Sequence, residues 1–322
     1  MEGYFIGIDV GGTNVKLMIM DEEKQVVAKT QIPTKAERGY EAVSDDMIET
    51  LDRMFEKNGI REPKIQALAM GLPGTVDRKA GETVYLAKLR WDGFNPAKKL
   101  GEYYRAPYFI ENDANINALG EYAFGESGKE NLLLLTLGTG VGGGIIINGK
   151  IFGGAENMAG EFGHMMVQTE GGDICLCGRR GHLEAYCSGT AMMRDALEMM
   201  KNRRKTILHQ YVKENEGVYD NSMVTRGAKE GDATCREILN RFISYLAAGI
   251  STLMMLFNPE VVLIGGGVSN AGDLLIEPLN QKCREMVLSE RSYCPVIRTS
   301  LGSEAGMYGA CALAMQAVKE GV

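Results

Sequence analysis

Residues 4–20 read YFIGIDVGGTNVKLMIM, and residues 132–149 repeat the plan as LLLLTLGTGVGGGIIING. In both stretches an apolar run stops at a glycine-rich turn and a second apolar run follows, the pattern of strand, tight turn and strand. Each turn contains glycines and a threonine: Gly11, Gly12 and Thr13 in the first, Gly138, Thr139 and Gly140 in the second. Glycine has no Cβ, so the backbone N–H groups of such turns can come close to an anion. Two familiar phosphate motifs are excluded by context. Gly138 to Gly143 satisfies G-x-G-x-x-G, but a dinucleotide fingerprint must open a helix, and here a β run ending in the hairpin signal Asn148-Gly149 follows. Gly144 to Lys150 nearly matches the P-loop, yet position 151 is Ile where Ser or Thr is needed.

Working outward, VVAKTQI (26–32) reads as a third strand, and apolar residues at helical spacing predict a helix over 40–58 stopped by Gly59. IQALAMGLPG (65–74) reads as a buried strand running into a turn at Gly74, and PYFIEN (107–112) as a strand meeting a helix that begins at Asp113. In the second half VVLIG (261–265) is a buried strand ending in Gly265, Gly266 and Gly267, and a closing helix spans Glu304 to Lys319. Asp9 ends the first strand beside the glycine turn. A single carboxylate there suits Mg²⁺, which takes one or two carboxylates and keeps phosphate oxygens and waters for the rest; the plainer alternative is a turn cap. Lys16 follows closely enough to reach a phosphate, or else faces solvent. Asn112 and Asp113 are good helix N-caps, and a helix N-terminus favours an ionised Asp113 that can act as a base.

Residues 161–184, EFGHMMVQTEGGDICLCGRRGHLE, gather two of the three histidines and two of the seven cysteines among acidic residues. His164, Cys175, Cys177 and His182 are a soft-to-borderline donor set that could close on one tetrahedral zinc. Four protein ligands leave no open position, so the metal would shape the loop and not activate water. A Cys175–Cys177 disulfide would close too tight a ring, and the odd cysteine total with no apparent secretory leader points to a reducing, cytoplasmic setting without a membrane span. The other cysteines lack ligand spacing and read as core residues. A chain of 322 residues is long enough for two lobes, and its net charge of -7 disfavours nonspecific nucleic-acid binding. The basic run Lys201 to Lys205 (KNRRK) reads as a solvated helix face.

The E-x-G-H of Glu161 to His164 and the C-x-C-G-x-x-G-H-x-E of Cys175 to Glu184 resemble the signature of the ROK family of sugar kinases and related repressors. One position departs: His182 stands where that family usually has Cys. The resemblance runs from Gly7 to the last helix. It implies an α/β, two-lobed, ribonuclease-H-like fold of the actin, hexokinase and sugar-kinase superfamily with an active-site cleft between the lobes. The lobes are expected at 1–112 plus 304–322, a small N-terminal lobe with the closing helix, and at 113–303, a large lobe with the zinc loop. The resemblance further implies an ATP-dependent hexose 6-phosphotransferase using Mg²⁺ and a structural Zn²⁺, with glucose as the first choice of sugar. N-acetylmannosamine, N-acetylglucosamine, allose and fructose are the alternatives.

By the same resemblance Asp113 is the catalytic base; Gly74, Asn112, Glu161, His164 and Glu184 meet the sugar. Asp9, Gly11, Gly12, Thr13, Lys16, Thr139, Gly140, Gly265, Gly266 and Gly267 meet the nucleotide. The loop LAKLRWDGFNPAKKL (86–100) is expected to line the sugar pocket, and a homodimer is implied. A sugar-sensing repressor on the same fold needs a winged helix-turn-helix of roughly 70 to 80 residues before the first turn, whereas eight residues precede Asp9.

Overall fold

A computed structural model describes residues 3–86, 89–202 and 205–321. Ala87 and Lys88 of the expected sugar loop, and Arg203 and Arg204 of the basic run, lie outside the described residues. Packing divides the chain into two compact units: Met1–Glu130 with Gly144–Ala159 and Ser300–Val322, and Asn131–Gly143 with Gly160–Thr299.

The first unit is built on a five-stranded sheet. Its strands are β1 (Gly3–Val10), β2 (Asn14–Asp21), β3 (Val26–Pro33), β4 (Lys64–Leu72) and β7 (Tyr108–Asn112), in the order β3-β2-β1-β4-β7. β1, β2 and β3 form an antiparallel meander, while β4 and β7 extend the sheet in parallel. A side hairpin of β5 (Thr75–Asp77) and β6 (Glu82–Tyr85) follows β4. Helices α1 (Tyr40–Lys57) and α2 (Lys98–Tyr104) belong to one side, where Val43, Met47, Leu51 and Phe55 of α1 join Ile6, Ile8 and Leu17 of the sheet in the core. Leu86, Leu89 and Trp91 are buried in that same core, so the described part of the 86–100 loop supplies packing. On the other side α3 (Asp113–Phe124) and α10 (Ala305–Glu320) pack together, with Ala310 and Ala314 meeting Phe5, Ala67 and Ile116.

The expected boundary at residue 113 is therefore displaced. α3 packs with the first unit because its face of Ile116 and Gly120 closes on α10.

The second sheet repeats the plan with β8 (Leu132–Leu137), β9 (Val141–Ile147), β10 (Lys150–Ile151), β11 (Val261–Gly265) and β12 (Val296–Arg298), in the order β10-β9-β8-β11-β12. Position for position this is the order of the first sheet, the duplication expected of the ribonuclease-H-like fold. β9 turns into β10 through Asn148 and Gly149, both at positive φ, as the Asn-Gly hairpin signal requires. The second unit carries α4 (Glu184–Cys187), α5 (Gly189–Lys201), α6 (Leu208–Glu214), α7 (Ser222–Lys229), α8 (Ala233–Phe257) and α9 (Asp273–Met286). Among the described residues α8 is the one helix long and apolar enough to cross a membrane, but its window is 61% buried and it packs against α7, α9, α4 and α5 as a core helix. The seven cysteines are free, and all but Cys177 are buried.

Candidate active site and metal loop

The first glycine turn is locked from behind. Gly11 N–H donates to the Asn14 carbonyl at 2.9 Å, closing the hairpin, while Thr34 donates its hydroxyl to the Gly11 carbonyl at 2.6 Å and its N–H to the Thr13 carbonyl at 2.8 Å. Thr34 is fully buried, and the sequence carried no local sign of this role. Gly12 and Thr13 are left exposed at the tip. The β1–β2 register sets Asp9 opposite Lys16, so their side chains share a face. Lys16 Nζ lies 3.5 Å from Asp9 Oδ2 and donates to the Ser303 carbonyl at the approach to α10. The ammonium that could have faced solvent is thus held beside the carboxylate. Burial pushes the Asp9 carboxyl up, and Lys16 draws it partly back. A Cβ on Gly306 would come within 2.5 Å of Asp9 Cγ, so the first turn of α10 lies against this carboxylate only because residue 306 is glycine.

The second turn is held by different means. Gly138 N–H donates to the Gly140 carbonyl at 3.0 Å, and the start of α5 reaches in: Gly189 N–H to the Gly138 carbonyl at 2.7 Å and Thr190 Oγ1 to the Thr139 carbonyl at 2.8 Å. Glu184 adds a carboxylate, its Oε2 accepting from Val141 N–H at 3.0 Å. A Cβ on Gly140 would strike that same oxygen. Read from sequence as a sugar-side group, Glu184 is also a brace for the turn.

Its other oxygen faces the metal loop. Cys175 Sγ is 3.2 Å from Glu184 Oε1 and 3.7 Å from His164 Nδ1, and Cys177 Sγ is 3.3 Å from His182 Nδ1. The four donor atoms lie within 4.8 Å of one another. A zinc tetrahedron with N and S ligands has edges of about 3.3–3.8 Å, so small side-chain adjustments close the set around one ion. The donor chemistry fits as well. His182 is buried and its pKa is lowered by desolvation, then by His164 and Arg179, which keeps the imidazole lone pair available. Burial pushes the Cys175 thiol up to about 12; a bound cation reverses that balance and deprotonates a coordinating thiol. His164 turns its second nitrogen outward, with Nε2 3.9 Å from Glu161 Oε2.

The loop is also tied down independently of any ion. Asp173 accepts from Arg194 at 3.0 Å and Arg241 at 2.7 Å, and its N–H donates to Tyr186 Oη at 2.7 Å.

At the β7–α3 junction Asn112 is the N-cap, its Oδ1 accepting from Ala114 N–H at 2.9 Å and Asn115 N–H at 3.1 Å. Its Nδ2 donates to the Gly74 carbonyl at 2.9 Å, joining two of the residues assigned to the sugar. Asp113 opens α3 half-buried, one oxygen accepting from Ala114 N–H at 2.9 Å. Beyond β11, Ser269 closes the glycine corner by donating Oγ to the Gly266 carbonyl at 2.7 Å. Beside it opens a pocket of about 350 Å³ lined by residues including Met192, Thr225, Arg226, Gly267 and Asn270, with two cations, Arg226 and Lys229, on its wall.

Residues 5–317 match the model of the ROK family. The chain belongs to the ROK family. It is 35% identical to the glucokinase of Halalkalibacterium halodurans over 95% of this chain and 93% of that one. The N-acetyl-D-glucosamine kinase of Aliivibrio fischeri is 31% identical over 96% of this chain and 98% of its own length. The crystal structure of a ROK family glucokinase from Streptomyces griseus, in complex with glucose and AMPPNP, superposes with a TM-score of 0.78 at 30% identity, covering 98% of this chain and 100% of that one. The protein is an ATP-dependent ROK-family sugar kinase with a His/Cys cluster in which His182 modifies the metal loop.

Proposed function

We propose that this ROK-family kinase transfers the γ-phosphoryl group of ATP to the 6-hydroxyl of glucose. The observation that carries the reading is the β7–α3 junction, where the Asn112 cap sets a carboxylate, Asp113, on the first turn of a helix. A helix N-terminus stabilises the ionised form, so Asp113 is ready at neutral pH to accept the hydroxyl proton as the sugar oxygen bonds to phosphorus and ADP departs. Because the transition state is loose, most of the rate comes from in-line positioning and charge neutralisation. From the first unit, Gly74 and Asn112 orient the hexose, while Asp9, Gly11, Gly12, Thr13 and Lys16 address the phosphates. Asp9 would hold Mg²⁺, whose charge offsets that of the transferring phosphoryl group. From the second unit, Glu161, His164 Nε2 and Glu184 accept from or donate to hexose hydroxyls, and a carboxylate covered by the sugar but left without its hydroxyl penalises the wrong one. Thr139 and Gly140 contribute backbone to the phosphates, and the pocket beside Gly265, Gly266 and Gly267 takes the adenosine. Zinc would be held by His164, Cys175, Cys177 and His182 as a structural ion.

The likeness to a glucokinase favours glucose, and that to an N-acetyl-D-glucosamine kinase supplies the second reading. A coupled assay with ATP and glucose, N-acetylglucosamine, N-acetylmannosamine, allose and fructose tests this. Glucose is expected to give the highest kcat/KM; a higher value for an N-acetylated sugar selects the second reading.

A further inference from the structure

Directly before Asn112, the carboxylate of Glu111 is completely buried and fully occupied. Its Oε1 accepts from the backbone N–H of Asn112 at 2.8 Å, from Asn115 Nδ2 at 3.0 Å and from Asn157 Nδ2 at 3.1 Å. Its Oε2 takes the Arg78 guanidinium through Nε and Nη2. Three stretches far apart in sequence meet at one anion: the β7–α3 junction, the turn of the β5–β6 hairpin and the segment after β10. Asn157 is bent toward it by a left-handed backbone, with φ 55, and the same amide lies 3.3 Å from the Val76 carbonyl.

Burying a carboxylate costs several kcal/mol, the Arg78 side chain that answers it stays 35% exposed, and well-packed apolar residues of the same volume often stabilise a protein as well or better. Stability alone therefore gives this cluster little purpose. Its location gives it one, because Arg78 and Asn157 also line a cavity of about 480 Å³ that includes Thr75, the residue after Gly74.

We propose that Glu111 is a positioning residue of the kinase. It holds the Asn112 N–H, and so fixes the direction in which Asp113 leaves β7. By drawing Arg78 and Asn157 onto the same carboxylate it also fixes the wall that continues from Gly74. The proposal rests on the reading of Asp113 as the base.

Glu111→Gln tests it, because whichever way the amide is turned its NH₂ meets an N–H donor. A displacement of the base on the scale of 1 Å costs about 100-fold, and kcat is expected to fall by that order with the KM for ATP unchanged. The double variant Glu111→Gln with Arg78→Gln removes charge from both partners. It should recover the melting temperature lost in the single variant without recovering kcat, which a purely structural role would restore. Should the single variant fail to fold, Asn157→Ala decides, since it removes one donor from Glu111 and leaves the ion pair in place. It is expected to lower hexose kcat/KM several-fold, in kcat as well as in KM, with little change in melting temperature. Wild-type hexose kinetics in a folded Asn157→Ala or in the double variant overturn the proposal while leaving the kinase reading intact. A wild-type chain that phosphorylates no hexose removes the kinase reading and the proposal together.

Discussion

The two glycine turns stand at equivalent places in two sheets of the same strand order, yet they are held and charged differently. The first carries its own ions, Asp9 and Lys16 as a cross-strand pair, and is clamped through backbone carbonyls by one buried threonine. The second has no ionisable residue at its tip; its brace is the Glu184 carboxylate, which on its other side meets the metal-loop cysteine. Duplication thus supplied one backbone shape twice. The side chains around it differ: the Asp9–Lys16 pair stands beside the first turn, and a carboxylate shared with a His/Cys cluster stands beside the second. The general lesson is that a repeated turn gives one backbone shape twice but does not say which copy carries the charged side chains.

The largest effect is expected at Asp113, the carboxylate proposed as the base. Asp113→Asn keeps shape and helix-capping ability, so the melting temperature should stay near that of the wild type, while kcat falls by at least ~10², as expected for loss of a general base. A folded variant with near wild-type kcat would remove Asp113 from the chemistry.

Paired substitutions in the turns sharpen the comparison itself. Gly12→Val and Gly140→Val should each raise the KM for ATP by about tenfold, the equivalent of roughly 1.4 kcal/mol. Only Gly140→Val should also raise the KM for hexose, because its Cβ meets Glu184, and overpacking there should cost ~1–3 kcal/mol of stability. Equal effects of the two on both substrates would erase the distinction between the turns.

Metal removal probes the second unit's support. Protein purified without added metal should contain about one zinc per chain, the stoichiometry of one closed four-ligand site. Chelation, or His182→Ala, should lower activity through displacement of His164, Glu161 and Glu184, but far-ultraviolet circular dichroism should stay unchanged because Arg194, Arg241 and Tyr186 still hold Asp173. His182→Cys should retain the ion. A zinc-free and fully active enzyme would contradict the ligand assignment. The smallest effect belongs to Thr34→Val, which removes one hydroxyl bond of about 1 kcal/mol and leaves the Gly11 carbonyl unpaired. The KM for ATP should rise by a few-fold with the hexose KM constant, as measured by steady-state kinetics.

Much of this was legible in the chain because it is encoded locally. Both hairpins are apolar runs around glycines, α3 begins at the Asn112-Asp113 cap signal, and the four candidate metal donors lie within one short segment at ligand spacing. What escaped was set by contacts distant in sequence. Lys16 has its carbonyl partner at Ser303, 287 residues away, and Thr34 has its partners at Gly11 and Thr13, across the meander. Glu111 sits within the strand run PYFIEN, and its saturation depends on Arg78 and Asn157, whose convergence no periodicity announces. The placement of α3 with the first unit follows from small-residue packing on α10, a helix that the chain supplies only at its end.

Phosphoryl transfer from ATP to the 6-hydroxyl of glucose is decided by the identity of the product. The chain incubated with ATP, Mg²⁺ and glucose should yield, by phosphorus and proton nuclear magnetic resonance, a phosphate ester coupled to the C6 protons in amounts equal to the ADP released. An ester at another carbon, or ADP and inorganic phosphate with unmodified glucose, would contradict it.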